Sequence, residues 1–573
     1  MIGGGREGVI VSSTSEDARF LREGVIEVDA AMVGIGRDRW VSIDAAEATD
    51  ERAAEIMRAN RFDILPISSS GGVREYYGAK TWNDHSVIGK EALTHKDVVP
   101  LDTSIRDVIR GFATEGRLFY FLNDESRIVG LVSVANLNAR QVKLYLFGAI
   151  SELEVRLGAL ISARVNEADL VAMTFGGTDK EKYDEVKKRY ETDRANGVEV
   201  DFVEYLYLAD LMRIAVAKGL HKVLGYSKTQ FEKNFGSIND LRHRVAHPAR
   251  SLVTGDHRVE RLWKRIDRIE EALFALRLVD KACLVLCDLP VQYRVENFKK
   301  ENLDLMRDRW EAITGAIERG VNLVNTFGID RDTLTSANAL IPIIYYLYQH
   351  PKVTLLGSTP FEARNAMAIR CWLTMALLNN VFGGQSDRTL TEVRAVLQEQ
   401  GDASFDFPVV ALNRRLARSG KTAEATDAAI DDILDLTYGT REAYLALSLL
   451  YDMDHWGGSV LHMDHIVAQK LFRRMDGDAE RIARYQGLMN RLGNLELLTA
   501  HENLEKSGQD AQTWLEGRDS DFKRRHLIPD DPQLLHFDRF DGFVTAREAL
   551  IRQRLRALFA PLMQSTMGET VAS

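Results

Sequence analysis

Apolar residues in this chain recur at strand spacing in two places only, within residues 38–140 and around 461–499. Elsewhere they recur at helical spacing. Such a chain cannot close one large sheet. It must build small mixed α/β units and bury the remainder helix against helix. At 573 residues it also exceeds what a single core can fill, so about three to four domains are expected. The expected fold class is multidomain α+β, mostly α.

Residues 38–140 read as two copies of one unit. The first, VSIDAAEATDERAAEIMRANRFDILPIS, is a strand, a helix with Ala53, Ile56 and Met57 on one face, then a strand through Leu65-Pro66-Ile67. The second, residues 98–138, places Ile105, Val108, Ile109 and Phe112 on one helix face, with Ser104 as N-cap. The strand LFYFL, a turn at Asn123-Asp124 and the strand IVGLVSV follow. This pattern resembles a pair of CBS domains, a module that often binds adenine nucleotides. The family's G-h-h-S-x-x-D segment stands here as Gly130-Leu131-Val132-Ser133-Val134-Ala135-Asn136, with Asn in the place of Asp. The resemblance implies Ser133 and Asn136 as nucleotide contacts. The corresponding first-copy stretch, YYGAKTWND, is degenerate, so a structural or dimerising role stands beside the sensing one.

From 141 to 290 the pattern is helical. Leu144, Phe147, Ile150 and Leu157 open one helix, residues 201–220 give another, and Ile266, Ile269, Leu273 and Leu276 mark a third. Between the last two, Arg242, the polar His243 and His247 form an R-x4-H pattern similar to that of HEPN domains. Many members of that family are metal-independent ribonucleases that act as homodimers. An Arg can stabilise a pentacovalent phosphate while a His moves a proton. The plainer alternative is a surface Arg and a satisfied His on a scaffold helix. DLPVQYRVENF (288–298) reads as a linker, and 299–452 as a helical middle region whose Trp, Tyr and Leu stripes are core.

The last region, 453–573, carries the densest chemistry. LHMDHIVAQKLF (461–472) holds His462, Asp464 and His465; NRLGNLELLTAHENLEKS (490–507) holds Asn494, Asn503 and Lys506. An Asp-His pair at a strand end, an Asn in a turn, and an Asn three residues before a Lys on a short helix resemble the ββα-metal finger of HNH endonucleases. The variant is the one ending in Asn. RLGNLELLT, the N-x-x-x-S tail and Leu527-Ile528-Pro529-Asp530 before Pro532 extend the resemblance to the nuclease domain of GmrSD-type, modification-dependent restriction enzymes. The helical middle region fits that family too. Its nucleotide-hydrolysing domain does not: neither its motifs nor a P-loop is found. The resemblance implies that His465 polarises a water, Asp464 and Asn503 hold Mg²⁺ or Mn²⁺, Asn494 braces the loop and Lys506 meets a phosphate. His462 could be a ligand, a phosphate contact or neither. No Cys pair flanks the finger, which excludes a zinc-stapled form.

Net charge is −10, so any nucleic-acid surface must be local. Lys470, Arg473, Arg474, Arg481, Arg484, Arg491, Lys523, Arg524 and Arg525 cluster around the finger, and solvated helix faces account for part of them. The longest apolar run, LIPIIYYLY (340–348), is about half a membrane span, so no membrane partner is expected. The first twenty residues lack a basic flank before an apolar stretch. Cys283, Cys287 and Cys371 suit packing, and a reducing cytoplasm. The expected activity is metal-dependent hydrolysis of DNA phosphodiesters in defence against foreign DNA, modified DNA included, with an adenine nucleotide as regulator. The rivals are a HEPN-type ribonuclease toxin and a non-catalytic nucleotide-sensing regulator.

Overall fold

The computed structural model describes residues 27–567 except 70–71, 82–83, 125–126, 176–179, 199, 248, 255–257, 332, 356–358, 385, 402–403, 452–460, 474 and 507–508. The chain is mostly helical with small mixed sheets. It divides into two compact units, 1–276 and 277–573.

The first unit begins with two four-stranded sheets of matching topology. β1 (Ile35–Gly36) belongs to the second sheet. β2 (Ile43–Asp44), helix α1 (Asp50–Asn60), β3 (Ile64–Ser69), β4 (Gly72–Thr81) and β5 (Asp84–Ala92) make the first. β6 (Val98–Pro100), α2 (Ile105–Thr114), β7 (Phe119–Asp124) and β8 (Arg127–Ser133) repeat the pattern. In each copy strand–helix–strand gives a parallel pair and the next strand returns antiparallel. The orders are β2-β3-β4-β5 and β1-β8-β7-β6. The two sheets share a core in which Ile64, Val73 and Tyr76 meet Phe121 and Leu131.

Ser104 caps α2 by accepting from Asp107 N, and Ile105, Val108, Ile109 and Phe112 are all buried. Each such side chain contributes about 1.5–3 kcal/mol. Asn123 and Asp124, expected as a turn, are strand residues. Both residues are in β7, opposite Ile128 and Arg127, and 125–126 fall outside the described residues. Gly130 has a packing reason to be glycine, because a Cβ there would sit 2.7 Å from Ile35 O on the neighbouring strand.

Helix α3 (Arg140–Arg164) follows, and with α4 (Lys228–Ala246) and α5 (Val259–Leu286) it frames the helical part. The helix expected from Leu144 and Phe147 is present, but both side chains are exposed. Val142, Leu146, Ile150, Leu153 and Leu157 form its buried face. Arg106 grips Glu270 with two nitrogens, 2.5 and 2.7 Å, and lies over Trp263. Asn138 Oδ1 accepts from Leu252 N and Val253 N, a second tie between sheet and helical parts.

The division between units falls inside α5. The stretch 288–298, expected as a linker, is held down instead: Val291 and Asn297 are buried, and Lys281 Nζ donates to Val291 O. In the second unit, α7 (Ser386–Gln400) packs beside the fully buried Ile341–Leu347 segment, the apolar run noted above, and α8 (Val409–Ala417) packs on α7 and on α6 (Pro360–Leu378). Trp372, Tyr345 and Tyr346 are core. The three cysteines are buried and free, and burial pushes the thiols up, Cys287 to about 11 and Cys371 to about 12. Among the described residues no helix is long and apolar enough to cross a membrane.

Candidate active site

Two short strands and a helix assemble the C-terminal constellation. β9 (Leu461–His465) pairs antiparallel with β10 (Leu495–Thr499), setting Glu496 opposite Asp464 and Leu495 opposite His465. Alternation puts Asp464 and Glu496 on one face. Helix α9 (Ala500–Lys506) starts at once: Thr499 Oγ1 accepts from Glu502 N, and Glu502 Oε2 accepts from Thr499 N and Oγ1. That Thr-x-x-Glu capping box turns the chain back over the strand pair.

Lys506 is the consequence. It is only 2% exposed, and its ammonium lies 2.8 Å from Asp464 Oδ2, 2.7 Å from Glu496 Oε1 and 2.7 Å from His465 O. All three protons are committed, so the phosphate contact that the resemblance implied for Lys506 has no donor left in this arrangement. Glu496 is fully buried, with its second oxygen 2.8 Å from His526 Nδ1. Burial alone would raise this carboxyl's pKa, but Lys506 and His526 outweigh it and hold it far below the usual range. A buried ammonium is tolerable only with such counter-charges. Arg547, itself buried, adds hydrogen bonds to the carbonyls of His526, Leu492 and Gly493.

His465 points away from this pair. It is 5% exposed, with the Tyr438 ring 4.3 Å from its own. Its Nε2 is 3.0 Å from Asn490 Oδ1, and Gln469 Nε2 reaches the same oxygen at 3.1 Å. Gln469 Nε2 also lies 3.3 Å from His465 Nε2, so this ring nitrogen donates to Asn490 in one tautomer and accepts from Gln469 in the other; the first leaves the lone pair on Nδ1. Burial lowers the His465 pKa, partly offset by the Asn490 bond and Asp464, so the ring is neutral at pH 7.

Asn494, fully buried, spans the loop. Its Oδ1 accepts from Val467 N, and its Nδ2 donates to Val467 O and Met489 O. With Ile466 N bonded to Asn494 O, the chain leaving His465 is fixed on both sides.

Asp464 keeps a third of its side chain exposed, and Lys506 takes its Oδ2. Asn503, partly exposed, sits one turn before Lys506 on α9. Among the described residues no three His, Cys, Asp or Glu side chains cluster as a metal site. One carboxylate oxygen and one amide oxygen nevertheless suit Mg²⁺ or Mn²⁺, which normally keep water and take substrate phosphate oxygens for the rest of their shell. His462 is exposed on the Asp464 face of β9.

Glu496, Asn490, Gln469, Tyr438 and His526 were not singled out from the sequence. Only Glu496 left a signal, a carboxylate inside the apolar strand LELLT. Of the surrounding cations, Arg491 is tied to Glu548 and Asp435, and Arg484 to Asp541; Arg474 and Ser507 lie outside the described residues.

The other two expected sites are local. Asn136 Oδ1 accepts from Ser133 N (2.9 Å) and Ser133 Oγ (3.0 Å), a cap on the 3₁₀ turn Val134–Asn138. Arg242 Nε lies 2.6 Å from Glu154 on α3 and over Tyr207, while His243 and the helix-ending His247 are exposed. No family model matches this chain, and no curated protein matches its sequence.

Proposed function

We propose that this protein is a metal-dependent endonuclease that hydrolyses DNA phosphodiester bonds at the finger of β9, β10 and α9. One observation carries the reading: successive residues of β9 present a buried His465 hydrogen-bonded to Asn490 and a part-exposed carboxylate, Asp464, held on one oxygen by Lys506. His465 Nδ1 takes a proton from the attacking water, and Asn490, backed by Gln469, keeps the proton already on Nε2 out of the way. Asp464 and Asn503 would hold Mg²⁺ or Mn²⁺, which supplies charge stabilisation at the phosphate and the departing 3′-oxygen. Lys506 fixes Asp464 from behind and ties α9 to the strands. Asn494 keeps the loop after His465 in register.

By resemblance, the substrate is foreign DNA, with modified bases among the targets, and the N-terminal sheet pair is a nucleotide-responsive regulator; both rest on analogy of fold. A second reading, metal-independent RNA cleavage by a homodimer through Arg242 and His247, is favoured by the exposure of His247 alone. The test of the main reading is supercoiled DNA with Mg²⁺ or Mn²⁺ against EDTA. Nicks or cuts that appear only with the ion are expected. Cleavage unchanged by EDTA, or none under either condition, contradicts it.

A further inference from the structure

His465 is buried, but the ring packed on it is not. Tyr438 lies 4.3 Å from the imidazole between centroids, tilted by 43°, and remains 43% exposed. An aromatic ring gains by leaving water, so one standing in solvent beside the candidate base is held there by its backbone.

The backbone does hold it. Residues 435–440 join the helices Asp427–Leu434 and Arg441–Leu449. Tyr438 N donates to Asn490 O at 2.8 Å, and Leu492 N to Leu436 O at 3.0 Å. Thr437 and Arg491 form an antiparallel β-bridge, and Arg491 pairs with Asp435 at 2.8 Å. Gly439 follows at φ 89°, a conformation that strains any residue with a Cβ, so the chain can turn directly after Tyr438. Thr440 then caps the next helix by accepting from Ala443 N. Tyr438 is thus clamped to the 490–492 stretch that also presents Asn490 to His465.

We propose that Tyr438 stacks on an unpaired base of the DNA strand next to the bond that is cut, which makes single-stranded or locally opened DNA the substrate of this site. The proposal rests on the nuclease reading above, which brings a phosphate to His465. In a strand only a sugar separates phosphate from base, so a phosphate at the imidazole carries a base to the neighbouring ring. Every base has a π-face, so stacking of this kind accepts any sequence. Inside a duplex both faces of a base are already stacked, and the base must leave the stack to make the contact. The acid next to this loop, Asp435, is held by Arg491.

The experiment titrates the full chain in EDTA, where metal-dependent cleavage is silent, against two dye-labelled probes: a single-stranded oligonucleotide and a base-free strand of the same length. Phosphate contacts are common to both, so the ratio of affinities isolates contacts to bases. Wild type should bind the intact strand about tenfold or more tightly than the base-free one. Tyr438→Ala should lose most of that preference while binding the base-free strand as wild type does. Tyr438→Phe, which keeps the ring, should retain it. With Mg²⁺, Tyr438→Ala should raise KM for single-stranded DNA about tenfold and leave kcat within about twofold. Melting temperatures near wild type establish that the variants fold. The proposal is overturned if wild type binds neither probe or both alike, if Tyr438→Ala keeps the preference, or if Tyr438→Ala lowers kcat at unchanged KM. The last result would make Tyr438 only a cover for His465. Preference for the intact strand without cleavage in Mg²⁺ or Mn²⁺ would support the base contact and remove the nuclease reading instead.

Discussion

His465 and Glu496 illustrate how single side chains divide the work at the candidate site. His465 donates to Asn490 in the tautomer that the proposed mechanism uses, so Asn490→Ala should lower kcat by about 10–100-fold with KM little changed. Asn490→Asp keeps an acceptor and should recover much of the rate. Its carboxylate favours the imidazolium, so the acidic limb of the pH–rate profile should move to higher pH. An unaltered profile in both variants would remove Asn490 from the mechanism. Glu496 acts on stability. Its folded pKa is depressed, so its contribution is present above the unfolded value of about 4.3 and is lost as pH falls below it. Glu496→Gln should cost about 3 kcal/mol at pH 7, and the gap to wild type should narrow in acid. Denaturant midpoints at pH 7 and pH 4 measure this, and a pH-independent gap would contradict it. Asp464, His465 and Asn494 were singled out because their order and residue types resemble the HNH finger. Asn490, Gln469 and Tyr438 were not, since their contacts with His465 depend on how the 466–492 excursion and the 435–440 loop return to it.

Among the elements, the strand–helix–strand repeat was read with its helix faces and the Ser104 cap, because period and capping are local signals. β1 and β5 were missed. A two-residue strand has no period, and β1 exists only because β8 offers it an edge. On α3 the helix was legible and its inward face in part: Ile150 and Leu157 are buried as read, but Leu144 and Phe147 are apolar yet exposed, and only packing decides which stripe is covered. The α4 terminus, with Arg242 tied to Glu154 and His247 exposed, can be tested directly. If α4 is scaffold, RNA in EDTA should survive both wild type and His247→Ala. RNA cut by wild type and spared by His247→Ala would instead establish a second active site, with 2′,3′-cyclic phosphate ends.

Taken whole, the molecule is two units that meet in sequence inside one helix, α5, rather than at the Pro-containing segment after it. Composition marked 288–298 as a linker, but Lys281 and Asn297 satisfy its carbonyls and Val291 is buried, which no composition rule anticipates. The finger of β9, β10 and α9 lies wholly in the second unit, and the N-terminal sheet pair wholly in the first. The central claim is that His465 is the base of a metal-dependent DNA hydrolase. It is tested most directly by comparing wild type and His465→Ala on supercoiled DNA with Mg²⁺, at matched melting temperatures. A rate lower by about 10²–10⁴ in the variant is predicted; cleavage at the wild-type rate by a folded His465→Ala protein would contradict it.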